Sequence, residues 1–186
     1  MEKKTKIILV VFVVVILVIS GALFFVVFQE KKNDPLSNLG YVNRELGFGL
    51  NPPQNWDVKE ENTLIWFETD FSYSEENSSD SITLQILAPL PDGNYPTFSY
   101  LIYDKLNAYS KLNDENTSMS HSERTINGMN AHEFIWIISN KTEMKAKEIF
   151  VEKNGRVFYI YFGKVPYLYD KYLSIAEQSI NSLTIV

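Results

Sequence analysis

Hydrophobic and polar positions divide the chain into an apolar run near its start and an alternating region after it. The run continues without a charged residue or proline from Ile7 to Phe28. As a helix it would be roughly 33 Å long, enough to cross a hydrocarbon core of about 30 Å. We therefore predict a transmembrane helix over residues 7–28 that binds the lipid bilayer. Residues 1–6 would be a short N-terminus and residues 29–40 a polar linker.

The flanking charges favour a cytoplasmic N-terminus, because three lysines precede the run and two follow it closely. The rest of this single-pass protein would then be an extracytoplasmic domain at the cell membrane. A cleaved signal peptide is the alternative, but its apolar region is usually about 7–15 residues long and ends at a small-residue site. Here Ser20, Gly21 and Ala22 lie inside the run and bulky residues follow them. This arrangement favours an uncleaved signal-anchor.

Residues 41–186 show patterns of both strands and helices. Alternating apolar residues between turn residues predict short strands, and apolar residues three and four positions apart predict amphipathic helices. The predicted strands of the first half are 41–50, 56–59, 64–69 and 81–88, and the predicted helices are 96–112 and 166–183.

Asn-Gly pairs at 127–128 and 154–155 predict two β-hairpins with two-residue turns. The second turn sets a register in which Val151 faces Phe158. Residues 157–162 are apolar at every position, so both faces of that strand must be covered and the strand should be central. Two amphipathic helices can supply the cover, which predicts an α+β fold of three layers with a helix on each face of an antiparallel sheet.

Four short motifs follow one another in this domain. They read GFGLNPPQNW at 47–56, INGMNAHE at 126–133, NG followed by FYIY within 154–161, and INSLTI at 180–185. In this order they resemble the PsbP-like domain family. The resemblance implies the Mog1/PsbP-like fold, an antiparallel β-sheet sandwiched by α-helices, and a protein that binds a partner without established catalysis. No site motif of the family is matched, so the resemblance implies no functional residue.

Charge and composition restrict the classes of function. The chain has 17 basic and 23 acidic residues, and the five lysines and two glutamates before residue 33 leave residues 33–186 with a net charge of −9. An acidic domain does not favour binding of nucleic acid through phosphates. The absence of cysteine excludes disulfides, thiolate metal sites, cysteine nucleophiles and lipid attachment through a thiol.

The candidate metal ligands lie in the first predicted hairpin. Its register places Glu123 opposite His132, and His121 lies two residues away on the same face. These three side chains could bind a metal or form an acid–base pair. The alternative, which we favour, is an ion pair on the surface of the sheet, because a metal site usually needs three or four converging ligands. We therefore expect no cofactor and no metal.

The sequence contains no arrangement typical of an enzyme. Serines surround His121, but no G-x-S-x-G elbow occurs, and no glycine-rich loop opens a helix as phosphate binding requires. The sequence therefore predicts no catalytic residue and no enzyme activity. The serines around His121 are Ser118, Ser120 and Ser122.

Glycosylation sequons and tyrosines are the remaining features of this domain that we expect to be exposed. Sequons would accept glycans on an exported domain. Tyrosines near the two helix starts are typical of partner surfaces, but we favour the alternative that they complete the edge of the core, because the sequence shows no apolar patch around them. We predict a non-catalytic protein-binding or scaffolding module, with a ligand- or metal-binding accessory protein of the cell envelope as the alternative. The sequons are at Asn77, Asn116 and Asn140, and the tyrosines are Tyr95, Tyr100, Tyr103 and Tyr167.

Overall fold

The structure, a computed structural model, describes residues 16, 18–20, 34–69, 82–87, 95–139 and 143–186. Most of the predicted transmembrane run therefore lies outside the described residues. Within the described residues, no helix combines the length and the apolar character needed to cross a bilayer. Leu39–Val186 forms one compact unit, and this unit contains all the strands described below.

Within Leu39–Val186, the described residues form ten strands and two helices, which agrees with the predicted α+β class. In chain order they are β1 (Tyr41–Asn43), β2 (Phe48–Leu50), β3 (Asp57–Glu61), β4 (Leu64–Thr69), β5 (Ile82–Leu87), α1 (Phe98–Ser110), β6 (Thr117–Ile126), β7 (Met129–Ile138), β8 (Met144–Lys153), β9 (Arg156–Lys164), α2 (Pro166–Asn181) and β10 (Thr184–Ile185).

The main sheet has seven antiparallel strands in the order β3-β4-β5-β9-β8-β7-β6. β9 is the middle strand, which confirms the prediction for residues 157–162. Val151 pairs with Phe158 as predicted, because the turn before β9 takes the left-handed conformation that Asn-Gly favours: φ is 55° at Asn154 and 73° at Gly155. The Asn-Gly turns therefore fix the registers of both hairpins.

The predicted first strand, residues 41–50, is wrong as one continuous strand. The chain turns back between β1 and β2, and the Asn43 side-chain oxygen accepts a 2.9 Å hydrogen bond from the Leu46 backbone N–H. Gly47 then adopts a φ of 70°, which glycine does without strain. β1, β2 and the C-terminal β10 form a separate three-stranded antiparallel sheet.

Both faces of the main sheet are covered, as the sequence predicts. On one face α2 and the three-stranded sheet enclose the larger hydrophobic core, in which Phe48, Phe158 and Ile180 are buried. On the other face α1 encloses a smaller core with Phe134 and Phe150. Alternate residues of each strand point to opposite faces, so β8 and β9 contribute side chains to both cores.

Candidate functional site

α1 begins at a capped position beside the second half of the sheet. The Thr97 hydroxyl oxygen accepts a 3.2 Å hydrogen bond from the Tyr100 backbone N–H, which satisfies one of the unpaired donors at a helix start. The helix therefore begins two residues after the predicted start at Pro96. Leu101 and Ile102 on its buried face pack against Phe134 and Phe150 of the sheet.

A cavity of about 760 Å³ opens between α1 and strands β8 and β9. We call it the α1 groove. Lys105 reaches across it, and its Nζ lies 5.6 Å from the centre of the Tyr109 ring and 5.7 Å from that of Phe150. The Tyr109 hydroxyl donates a 2.7 Å hydrogen bond to the Glu148 carboxylate. Aromatic and charged side chains line it, among them Phe98, Lys105, Tyr109, Glu148, Phe150, Glu152, Arg156 and Tyr159.

The tyrosine hydroxyls of the groove act as donors. Burial raises the pKa of Tyr109 far above its usual value, and the hydrogen bond to Glu148 raises it further. Burial also raises the pKa of Tyr159, with the charge of Glu148 as a second cause. Neither hydroxyl loses its proton near neutral pH, so the groove suits recognition of a bound group rather than general-base chemistry.

Tyrosine side chains cover the outer side of α1 next to the groove. Tyr103 is 68% exposed and Tyr100 is 50% exposed. Tyr95 lies 6.2 Å from Tyr100, ring centre to ring centre, and its hydroxyl donates to Asp104. Tyr95 also lines the α1 groove. We call Tyr95, Tyr100 and Tyr103 the tyrosine patch, which is therefore continuous with the groove.

The structure brings together the two histidines of the predicted site. His121 on β6 and His132 on β7 place Nε2 and Nδ1 3.0 Å apart. His132 also packs edge-on against Phe98 of α1, with ring centres 5.5 Å apart. The predicted Glu123–His132 register is confirmed. The shortest polar contact within this group, however, joins the two imidazoles rather than the carboxylate and an imidazole.

Glu123 stands beside this pair without completing a metal site. In the described part of the chain, no three His, Asp or Glu side chains converge in a way that could hold a metal ion. Glu123 is exposed on the edge strand β6. Its charge opposes the lowering of the His132 pKa, which burial and then His121 produce. The two imidazoles can therefore share a proton between them and take up a further one.

The other predicted site residues do not join the α1 groove. Alternation along β6 places Ser118, Ser120 and Ser122 on the face opposite His121, so these serines cannot form a catalytic triad with that histidine. Asn116 is exposed immediately before β6. The sequons at Asn77 and Asn140 lie outside the described residues.

An ion-pair cluster that the sequence pattern did not predict joins α2 to the sheet. Lys147 Nζ lies 2.9 Å from Glu133, and Arg124 lies 2.6 Å from the same carboxylate. Both cations also bind Glu177 of α2. Glu133 and Lys147 are buried at positions where a strand residue is usually apolar. These two charges are the sequence feature that could have revealed the cluster.

Comparisons with known proteins support the fold. No protein-family model and no curated protein matches the chain. Among solved structures, PA94 of Pseudomonas aeruginosa, a protein of unknown function, is 13% identical with a TM-score of 0.51 and 70% of this chain and 88% of PA94 aligned. LpqN of Mycobacterium tuberculosis, which is involved in cell envelope biogenesis, is 16% identical with a TM-score of 0.50 over 75% and 83% of the two chains.

The cyanobacterial PsbP protein CyanoP of Synechocystis is a third structural neighbour. It is 10% identical with a TM-score of 0.43 and covers 78% of this chain and 91% of its own. PA94 and LpqN, the two neighbours with TM-scores of 0.51 and 0.50, have Mog1/PsbP-like folds. The architecture of this chain, with antiparallel sheets and few helices, is consistent with that fold.

Proposed function

We propose that this protein is a membrane-anchored, extracytoplasmic module that binds a protein partner and has no catalytic activity. The observation that carries the proposal is the tyrosine patch beside the α1 groove. Tyrosine buries a large area at a small cost in side-chain entropy and is enriched in protein interfaces. Tyr103 and Tyr100 offer such area on the solvent side of α1, where the fold does not use it.

The charge of the domain favours a basic partner. Residues 33–186 carry a net charge of −9 by sequence, and within the groove Glu148 and Glu152 are balanced by Lys105 and Arg156. Lys105 already lies over two aromatic rings there, which is the geometry of a cation–π contact. We therefore propose a partner segment that presents lysine or arginine side chains to the groove and apolar side chains to the tyrosine patch.

The non-catalytic part of the proposal is supported by the groove chemistry. Its tyrosine hydroxyls keep their protons, and Glu148 is engaged by Tyr109. A nucleophile next to a base is the usual requirement for covalent catalysis, and Ser118, Ser120 and Ser122 point away from His121. The groove therefore favours binding over group transfer.

Site-specific photo-crosslinking tests the partner surface. A benzophenone amino acid replaces Tyr103 in the full-length protein in its native membranes, and the same group at Tyr167 is the matched control. The two tyrosines are 68% and 62% exposed, but Tyr167 lies on α2. We expect an adduct at position 103, through a lysine- or arginine-containing segment, that weakens as salt is raised. Equal adducts at both positions, or no adduct at 103, would overturn the proposal.

The proposed location is tested separately. The apolar run over residues 7–28 supports an uncleaved anchor, so the full-length chain should remain with membranes after carbonate extraction. Protease added to intact cells should degrade residues 41–186. Release by carbonate would contradict the anchor, and protection from the protease would contradict the extracytoplasmic location.

A further inference from the structure

The chain contains two histidines, and the fold places them in direct contact. His121 Nε2 and His132 Nδ1 are 3.0 Å apart, the rings are inclined by 6°, and their centres are 5.3 Å apart. The distance between centres exceeds that between nitrogens by about the width of one ring, so the rings meet edge to edge instead of stacking. The two nitrogens face each other, which is the geometry of an N–H···N hydrogen bond.

This contact depends on protonation. One imidazole must donate and the other must accept, so the hydrogen bond exists when the pair carries no positive charge or one. The singly protonated pair has a charge-assisted bond, and Glu123 lies opposite His132 to compensate the charge. A second proton removes the acceptor and places two positive charges side by side at half-buried positions.

The pair is also in contact with the start of α1. Phe98, the first residue of α1, packs edge-on against His132 and lines the α1 groove. Movement of the His132 ring therefore removes a contact that holds the first helical turn against the sheet. The Phe134 ring is tilted by 34° against the His121 ring, with ring centres 4.7 Å apart, and limits the movement of His121 toward the core.

Among side chains with ordinary pKa values, histidine is the one that changes charge between about pH 8 and 5. Carboxylates remain ionised above about pH 5, and lysine and tyrosine keep their protons below about pH 9. The titration of the pair is therefore the main change in local charge between pH 8 and 5. On the sheet face that carries the pair, the titratable neighbours are Glu123 of β6 and Glu148 and Glu152 of β8. The helix that covers this face, α1, carries Tyr100, Tyr103, Asp104, Lys105 and Tyr109.

We propose that His121 and His132 form a proton-operated latch that holds the start of α1 on the sheet and releases it when both rings are protonated. The affinity of the α1 groove and the tyrosine patch for a partner then falls as the pH falls. The effect on affinity rests on the proposed function, whereas the latch itself does not.

The direction of the effect follows from the linkage between protonation and structure. Burial first, and the charge of His121 second, lower the pKa of His132 below 6.5. The contribution of this group to the docking of α1 is therefore fully present above pH 6.5 and is lost as the pH falls through the lowered value. Because the two rings interact, they should titrate in two separate steps that belong to the pair.

Proton NMR of the full-length protein in detergent tests the latch without a partner. With two histidines in the chain, all imidazole signals belong to the pair. Between pH 8 and 5 we expect two steps separated by at least one pH unit. We also expect amide exchange in the first turn of α1, corrected for the intrinsic effect of pH, to accelerate roughly tenfold with the second step, which corresponds to one unit of pKa difference.

Two variants identify the coupling. His121→Gln should merge the titration into one step, and Phe98→Leu should keep both steps but uncouple α1 exchange from them. Amides of α2 are the internal control and should not respond. Independent titration of both rings near pH 6.5, or α1 exchange that does not follow the second step, would overturn the latch. Neither result affects crosslinking at Tyr103, so failure of the latch and failure of the partner surface are distinguishable.

Discussion

The guanidinium of Arg124 on β6 lies 2.9 Å from the Glu177 carboxylate on α2, and this contact joins parts of the chain 53 residues apart. The same guanidinium donates to Asn181 at 2.6 Å. Lys147 and Glu133 complete the cluster from β8 and β7. Two cations and two carboxylates alternate, so each charge has an opposite neighbour. The cluster thereby fixes where α2 rests on the sheet.

Glu177→Gln should destabilise the protein by about 2 kcal/mol, less than for a fully buried ion pair because the Glu177 side chain is 23% exposed. The substitution keeps the size of the side chain but leaves Arg124 and Lys147 with Glu133 as their remaining carboxylate in the cluster. Breaking one member of a largely buried ion pair is costly, because the remaining charge stays poorly solvated. Urea unfolding gives the free energy. Glu115→Gln, at an exposed position, is the control and should change it by less than about 0.5 kcal/mol; equal effects would contradict the role of the cluster.

The lowered pKa of Glu177 predicts a range of acidic pH in which the stability of the protein changes. Burial alone would raise the pKa of Glu177, but hydrogen bonds from Arg124 and Lys147 bring it below the ordinary value of 4.5. A carboxyl group with a lowered pKa stabilises the fold fully above its unfolded value and loses that contribution as the pH falls through the folded value. The stability difference between wild type and Glu177→Gln should therefore be constant above pH 5 and shrink below pH 4.5. A difference that does not begin to shrink as the pH falls below 4.5 would show that charge is not the cause.

The sequence predicted the features that depend on local turn chemistry and on burial of a whole strand. Asn127-Gly128 and Asn154-Gly155 determine their own hairpins, so the pairing of Glu123 with His132 followed without knowledge of the rest of the fold. The central position of β9 followed from its unbroken apolar composition. Both arguments work because the determining residues are adjacent in sequence.

Features that depend on the orientation of a single side chain were not predictable in the same way. The break between β1 and β2 requires the Asn43 side chain to turn back onto Leu46, whereas the alternation of residues 41–50 also fits one strand. The register alone did not show that His132 would contact His121 more closely than Glu123. That preference depends on rotamers, which the packing of Phe98 and Phe134 against the pair restricts.

The two Asn-Gly turns should respond differently to the same substitution. Glycine accepts the positive φ of both asparagines, so Asn→Gly tests the side chain alone. The Asn127 amide donates a 2.9 Å hydrogen bond to Thr184 of β10, whereas Asn154 is exposed. Asn127→Gly should cost about 1 kcal/mol in the free energy of unfolding, and Asn154→Gly should be close to neutral. Equal losses at both turns would show that the Thr184 contact contributes nothing.

The docking of α1 should depend on the hydroxyl of Tyr109. Tyr109→Phe keeps the ring in its place against Phe134 and Trp136 but removes the 2.7 Å hydrogen bond to Glu148. A hydrogen bond to a charged acceptor contributes about 1.5–3 kcal/mol, so amide exchange in α1 should accelerate by at least roughly tenfold while exchange in α2 stays unchanged. Tyr103→Phe removes a hydroxyl from an exposed tyrosine of the same helix and should leave α1 exchange as in wild type. If both variants leave amide exchange in α1 as in wild type, apolar contacts alone hold α1 on the sheet. The Glu148 carboxylate then remains available to a ligand.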